Sequence, residues 1–327
     1  MFLFFWGFLE YYTRPIIKWF LRQLTGKCEL LRITDNKPRG ASRTVLIGLY
    51  PLISFTFISI EKSIGASKSA EIRSGLQWSK DFSYDDYITY VVTVKCISEF
   101  EYPQYVSCAS IRLSLLSFRQ ALHYCLQQIH AYAKLMDDVN QIKSTAYRSD
   151  DPYHEEMMSK LWKLLRPEDT SPDEDRQWTL IGFQTDSPAS DFRGMGILSL
   201  KNLIYFSEQH TSLVRNILSA SNHPQHWYPF AVVGINITEM LYTFLKNGDL
   251  KNQFYNTTAA STLDDFHKLF CFTFSTFHEY WMQTVHDIMF FNYHRENFRC
   301  SLLARLKEQD CRLGLPGGDG DVSSFTF

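Results

Sequence analysis

The sequence has no Gly-x-x-x-x-Gly-Lys-Ser/Thr loop, so it offers no phosphate cradle for a nucleotide of its own. It also lacks a Gly-x-Ser-x-Gly elbow and a His-Glu-x-x-His pair, which sets aside the α/β-hydrolase and zincin patterns. No sign of charge dominates. With 33 Lys and Arg against 35 Asp and Glu, the formal net charge is -2, and the basic face that nucleic-acid binding needs is missing. The seven cysteines are odd in number and form no Cys-x-x-Cys pair. A disulfide framework is therefore not expected, and reduced, buried thiols in a cytosolic compartment are.

Histidines give no ligand pattern either. His223 and His226 flank Pro224 with no further ligand nearby, so a surface role is expected. His278, His286 and His294 are spaced by eight, which on a continuous helix makes them drift rather than cluster. Nothing promotes a Cys–His nucleophile. The sequence thus implies no metal, no cofactor and no substrate pocket of its own.

Long hydrophobic runs are scarce. Phe2 to Leu9 form a dense apolar start, broken by Glu10, and the run is shorter than the ~20 residues a membrane span needs. Arg14, Lys18, Arg22 and Lys27 then interleave with Ile16, Ile17, Trp19, Phe20 and Leu21. Such a segment either lies along a membrane surface, with its cations toward the headgroups, or docks on the protein's own core. The concentration of aromatics and cations favours residues 2–22 as a surface anchor. A second uncharged run, Val45 to Ile60, is interrupted by Pro51, which would kink a spanning helix. The corresponding expectation is a cytoplasmic protein, peripheral on intracellular membranes.

Aromatic residues are abundant, at 16% of the chain, and imply large buried faces. The period of the apolar positions is mainly helical. Leu122, Cys125, Leu126, Ile129, Tyr132 and Leu135 fall on one side of a long helix that starts near Ser107. Asp151-Pro152 reads as an N-cap followed by proline in the first turn, ahead of Met157, Met158, Leu161, Trp162 and Leu165. Ser171-Pro172-Asp173-Glu174 is a second start signal. Further helices are expected around 195–208, 210–221, 228–247, 262–283 and 285–308. Phe266, Phe270, Phe274, Phe277 and Trp281 recur at helical spacing and read as core. One stretch differs: Ile88, Tyr90, Val92 and Val94 alternate with Thr89, Val91 and Thr93, a period of two that predicts a short strand or an irregular segment.

The organisation that follows is all-α. It comprises an amphipathic N-terminal helix over 1–30, an irregular and helical region over 31–148, a compact multi-helix domain over 149–308, and a disordered tail over 309–327.

The most distinctive segment runs from Trp178 to Phe206. Trp178, Ile181 and Phe183 supply anchoring groups, Asp186 and Pro188 bend the chain, and Ser190 or Asp191 can cap the helix that follows. Gly194 and Gly196 each cost roughly 1 kcal/mol in a helix, which makes sense only if something approaches the backbone closely. Arg193 sits between them and Asp191. It either pairs with Asp191, Asp186 or a helix C-terminus and locks the loop, or presents its planar, permanently charged fork to a phosphoryl group.

This segment resembles the core pattern of the ELMO domain. Trp178, Phe183, Gln184, Pro188, Asp191, Phe192, Arg193, Gly194 and Gly196 all match, followed by Leu200, Leu203 and Phe206. Tyr147 to Glu156, Ser221 to Pro224, Phe230 to Glu239, Leu21 to Leu30 and Gly40 to Thr44 are similar to further blocks of the ELMO domain-containing protein family. Residues 45–59 look like an insertion, and about 94–118 replaces what the family pattern has as a shorter helical connection, so that it too reads as inserted sequence. The resemblance implies an all-α fold and GTPase-activating protein (GAP) activity toward Arf and Arf-like small GTPases. It also implies that Arg193 is the arginine supplied in trans. Nucleotide and magnesium would belong to the GTPase. The alternative that the resemblance carries is a non-catalytic GTPase-binding or scaffold module of the engulfment and cell-motility type.

Overall fold

A computed structural model describes residues 16, 17, 19–21, 24, 29–34, 53–95, 108–169, 177–255 and 260–306. Every regular element among them is helical, as the sequence predicts. No helix among the described residues is long and apolar enough to cross a membrane. The expected surface anchor, the start signal at Ser171 and the 309–327 tail lie largely or wholly outside the described residues. Ile16, Ile17, Trp19, Phe20, Leu21 and Leu24 are helical and exposed.

The chain divides into two compact units, residues 1–133 with 254–260, and residues 134–253 with 261–327. The first unit contains α1 (Glu29–Thr34), α2 (Ile53–Gly65), α3 (Ala70–Ser74), α4 (Tyr84–Lys95) and the first part of α5 (Cys108–Ser144). Its core is aliphatic: Ile33, Ile60, Ile64, Ile72, Val91, Leu122 and Leu126 are all at most 3% exposed. The segment read as a strand is helix α4. Tyr87, Ile88, Val91 and Val92 are buried while Thr89, Tyr90, Thr93 and Val94 are exposed. That i, i+1, i+4, i+5 stripe is the helical period. The β-branched alternation was a coincidence of types, because burying one helical face outweighs a propensity difference of tenths of a kcal/mol per residue. Tyr87 fixes the helix further by donating its hydroxyl to the Ile72 carbonyl at 2.7 Å.

The second unit holds the end of α5, then α6 (Pro152–Leu165), α7 (Ile197–Gln209), α8 (Thr211–Ser221), α9 (Phe230–Asn247), the start of α10 (Lys251–Tyr255), α11 (Leu263–Met282) and α12 (Phe291–Leu306). The Asp151-Pro152 start signal acts as expected. Asp151 accepts from the Tyr153 N–H at 3.0 Å and Pro152 occupies the first turn. Helix α11 starts on a capping box: Thr262 Oγ1 accepts from Asp265 N, and the Asp265 carboxylate accepts from Thr262 N at 2.9 Å. Thr262→Ala removes one arm of that box. It should cost about 1 kcal/mol, measurable as a lower urea midpoint at constant m-value.

Helix α7 is the centre of this unit. Leu198, Leu200, Leu203 and Phe206 are fully buried against α6, α9 and α11. The aromatic stripe of α11 is core throughout: Phe266, Phe270, Phe274, Phe277 and Trp281 are at most 1% exposed. Each such burial is worth roughly 1.5–3 kcal/mol.

The histidine reading requires a correction. His286 and His294 do cluster, with ring centroids 4.1 Å apart against Trp281. A spacing of eight separates the rings only on one continuous helix, but α11 ends at Met282 and a 3₁₀ turn, Ile288–Phe290, precedes α12. The chain reverses there and folds the two rings together. No group of three metal-ligating side chains occurs among the described residues.

A different histidine sets a pH dependence. His278 faces the Tyr228 hydroxyl at 2.9 Å, and burial lowers its pKa to about 4. The unfolded chain, with histidine near 6.5, takes up the proton first. Stability therefore falls as pH drops from about 6.5 and stops falling on this account below about 4. At pH 5 the loss should be about 1 kcal/mol, allowing for partial exposure. His278→Gln should remove that share from the difference between urea curves at pH 7 and pH 5.

Candidate functional site: an arginine on a 3₁₀ turn

The Trp178–Gly196 segment is two short 3₁₀ helices, Trp178–Ile181 and Pro188–Arg193, joined by a turn. Its aromatics form one continuous chain of ring contacts. Trp162 of α6 meets Trp178 at 5.2 Å, Trp178 meets Phe183 at 6.0 Å, and Phe183 meets Phe192 at 5.5 Å. Phe192 then meets Tyr147 at 5.0 Å, and Tyr147 stacks on His154 at 5.6 Å. Trp178, Phe183, Pro188 and Phe192 are therefore scaffold, buried so that the segment has one shape. Edge-on ring pairs of this kind add about 0.5–1.5 kcal/mol each beyond their burial.

The polar members of the motif close the loop from outside. The Asp191 carboxylate accepts from the Gln184 N–H at 3.0 Å. Asp186 accepts from the Thr179 N–H and hydroxyl, both at 3.5 Å. Gln184 itself is exposed. Neither Ser190 nor Asp191 caps α7, contrary to expectation. The residue preceding α7 is Gly196, which has no side chain, and the Ile197 N–H is satisfied by the Thr145 carbonyl at 3.0 Å. Tertiary contact with the end of α5 replaces the local cap.

The two glycines differ. Gly196 has φ +53, and a Cβ there would lie 2.3 Å from the Lys143 carbonyl oxygen and 2.4 Å from that of Thr145. The close approach expected from the sequence is this one, made by the protein's own backbone. Gly194 is exposed, has φ -82, and a Cβ on it would meet nothing within 4 Å.

Arg193 ends the second 3₁₀ helix and is exposed. Its Nε donates to the Ser190 carbonyl at 3.0 Å, which holds the side chain against its own turn. Neither Asp191 nor Asp186 pairs with it. Among the described residues, its two terminal amino groups have no hydrogen-bond or ion-pair partner. The result is a guanidinium anchored at one nitrogen, with the bidentate end in solvent beside the open space at Gly194.

An all-α unit with an exposed, tethered arginine on a buried aromatic scaffold defines a helical domain that presents one cationic fork at its surface. The ELMO/CED-12 family model matches residues 137–295, and the chain belongs to this family. It is 38% identical over 319 residues to human ELMO domain-containing protein 2, covering 96% of this chain and 99% of the relative. It is 37% identical over 327 residues to human ELMO domain-containing protein 1, covering 91% of this chain and 89% of that protein. It is also 30% identical over 292 residues to ELMO domain-containing protein B of Dictyostelium discoideum, covering 88% and 93%.

Proposed function

We propose that the protein is a GTPase-activating protein for Arf-family small GTPases, including Arf-like members, and that Arg193 enters the partner's nucleotide site. One observation carries this reading: the unpaired terminal amino groups of an otherwise tethered, exposed Arg193. Charge spreads over the γ-phosphoryl oxygens as the bond to the leaving group stretches. A bidentate cation placed there from outside stabilises that charge more than the ground state. On this reading the GTP and its magnesium are the partner's, and this chain supplies only the arginine. The test is single-turnover GTP hydrolysis by a purified Arf-family GTPase, with and without this protein.

Gly194 supplies a second handle on the same reading. Gly194→Ala has room in the free protein and an ordinary φ, so folding should change by less than about 0.5 kcal/mol. If a GTPase backbone closes onto this spot, the added methyl should lower GAP activity while the urea midpoint stays put. Full activity in Gly194→Ala would place the partner elsewhere.

Residues 2–22 complete the proposal as a membrane-surface contact, supported by the exposed, helical Ile16, Ile17, Trp19, Phe20 and Leu21. Co-sedimentation with anionic vesicles, lost on removal of residues 2–22, is the expected outcome. Equal sedimentation of the truncated chain would contradict it.

A further inference from the structure

A cleft of about 320 Å³ opens between α6, α7 and α11, away from any role given to Arg193. Its floor is His267, which is 8% exposed. A chain of hydrogen bonds fixes the proton on that ring. Thr238 Oγ1 donates to the Gly234 carbonyl at 2.9 Å, so it must accept from Asn202 Nδ2, 3.0 Å away. That sets the Asn202 amide with Oδ1 toward His267 Nδ1, at 2.6 Å. An amide oxygen only accepts, so Nδ1 carries the hydrogen. Burial lowers the His267 pKa to about 4, which keeps the ring neutral. Nε2 is therefore a bare lone pair bordering the cleft, and no described group donates to it.

The walls are chemically uneven. Lys160 is neutralised by Glu208 at 2.6 Å, and the Tyr205 hydroxyl donates a hydrogen bond to Asp264 at 2.7 Å. The Tyr205 ring stacks on His267 with centroids 5.0 Å apart. Lys201 and Glu156 also line the cleft, and among the described residues neither has an ion-pair or hydrogen-bond partner. The unfilled positions are thus one cation, Lys201, and two acceptors, His267 Nε2 and the Glu156 carboxylate, beside an aromatic wall. A ligand that fills them carries one anionic group and at least two hydroxyl donors.

We propose that this cleft binds a phosphorylated polyol, with its phosphate on Lys201 and its hydroxyls donated to His267 Nε2 and Glu156. Two sources share that chemistry, a soluble sugar or cyclitol phosphate and a phosphoinositide headgroup.

The test uses the full chain with ¹⁵N-labelled histidine. The His267 imidazole nitrogens are followed during titration with myo-inositol 1-phosphate, and separately with phosphatidylcholine vesicles carrying phosphatidylinositol. A saturable shift of His267 Nε2 is expected in at least one arm, and the arm that responds identifies the source. Lys201→Met and Glu156→Gln change side chains at the cleft rim, where folding is insensitive. The lysine variant should weaken binding by about tenfold to a hundredfold, the range for a lost charge-assisted hydrogen bond. No shift in either arm overturns the proposal. So does unchanged affinity in Lys201→Met, or an equal shift with sodium sulfate, which has no hydroxyl to donate.

Discussion

Arg193→Lys should lower GTPase stimulation by roughly 10³-fold, the scale expected for an arginine acting in trans, while leaving the urea midpoint within error. The two halves of this expectation have separate causes. Arg193 is exposed, and its one hydrogen bond among the described residues, from Nε to the Ser190 carbonyl, is a local surface contact. Surface substitutions away from buried networks usually stay within about 0.5 kcal/mol. Lysine keeps the positive charge but is a point donor and cannot span two phosphoryl oxygens. A charge-only role would leave lysine with most of the activity; a bidentate role would not. Measuring binding of the GTP-loaded partner beside hydrolysis separates loss of catalysis from loss of docking. If both wild type and variant bind the GTPase and neither accelerates hydrolysis, the chain is a binding module.

Gly196→Ala should destabilise the second unit by about 3 kcal/mol or more. Two terms add. An L-residue held at a left-handed, sparsely populated backbone conformation costs about 1–3 kcal/mol. The new methyl would also lie 2.3–2.4 Å from two carbonyl oxygens at the end of α5, and these are backbone atoms that cannot rotate away. Relief requires α7 to lift from α5, which breaks the 3.0 Å bond from Ile197 N to the Thr145 carbonyl. Overpacking at rigid sites adds about 1–3 kcal/mol. Set against a typical total of 5–15 kcal/mol, this is a large fraction. Chemical denaturation gives the loss directly, and a wild-type midpoint would show that the segment has another conformation available. Because Gly196 lies three residues from Arg193, this variant should also lose activity through the altered turn, unlike Gly194→Ala, where folding is spared.

Much of the second unit was legible because its signals are local. The Asp151-Pro152 start and the Phe266-to-Trp281 stripe each express a helical rule within a few residues, and each appears in the structure. What escaped were features decided by distant partners. Val91 and Val92 look like strand residues until the buried face of α4 is known. His286 and His294 look separated until the chain is seen to reverse between α11 and α12. Ser190 and Asp191 look like caps for α7, yet the acceptor for the Ile197 N–H is Thr145, some fifty residues earlier. The His267–Asn202–Thr238 relay carried no sequence signal, since it joins three helices through single polar residues in apolar surroundings.

The candidate site divides the same way. The pattern around Arg193 named the residues but not what each one touches. The structure divides them: Trp178, Phe183, Pro188 and Phe192 build the platform, Asp191 closes it, Gly196 seats it on α5, and Gln184, Arg193 and Gly194 are left exposed. Arg193 is held by the Ser190 carbonyl of its own turn, and neither Asp191 nor Asp186 pairs with it. Both carboxylates are instead spent on backbone N–H groups at 184 and 179.

The most direct measurement is affinity for an Arf-family GTPase held in a transition-state-like form, with GDP and aluminium fluoride in place of the transferring phosphoryl group. A group that acts only in the transition state is felt there and not in the ground state. Wild type should bind this form at least about tenfold more tightly than the GTP-bound form, and Arg193→Lys should abolish that preference while retaining ground-state binding. Equal preference in wild type and Arg193→Lys would contradict a catalytic role for Arg193.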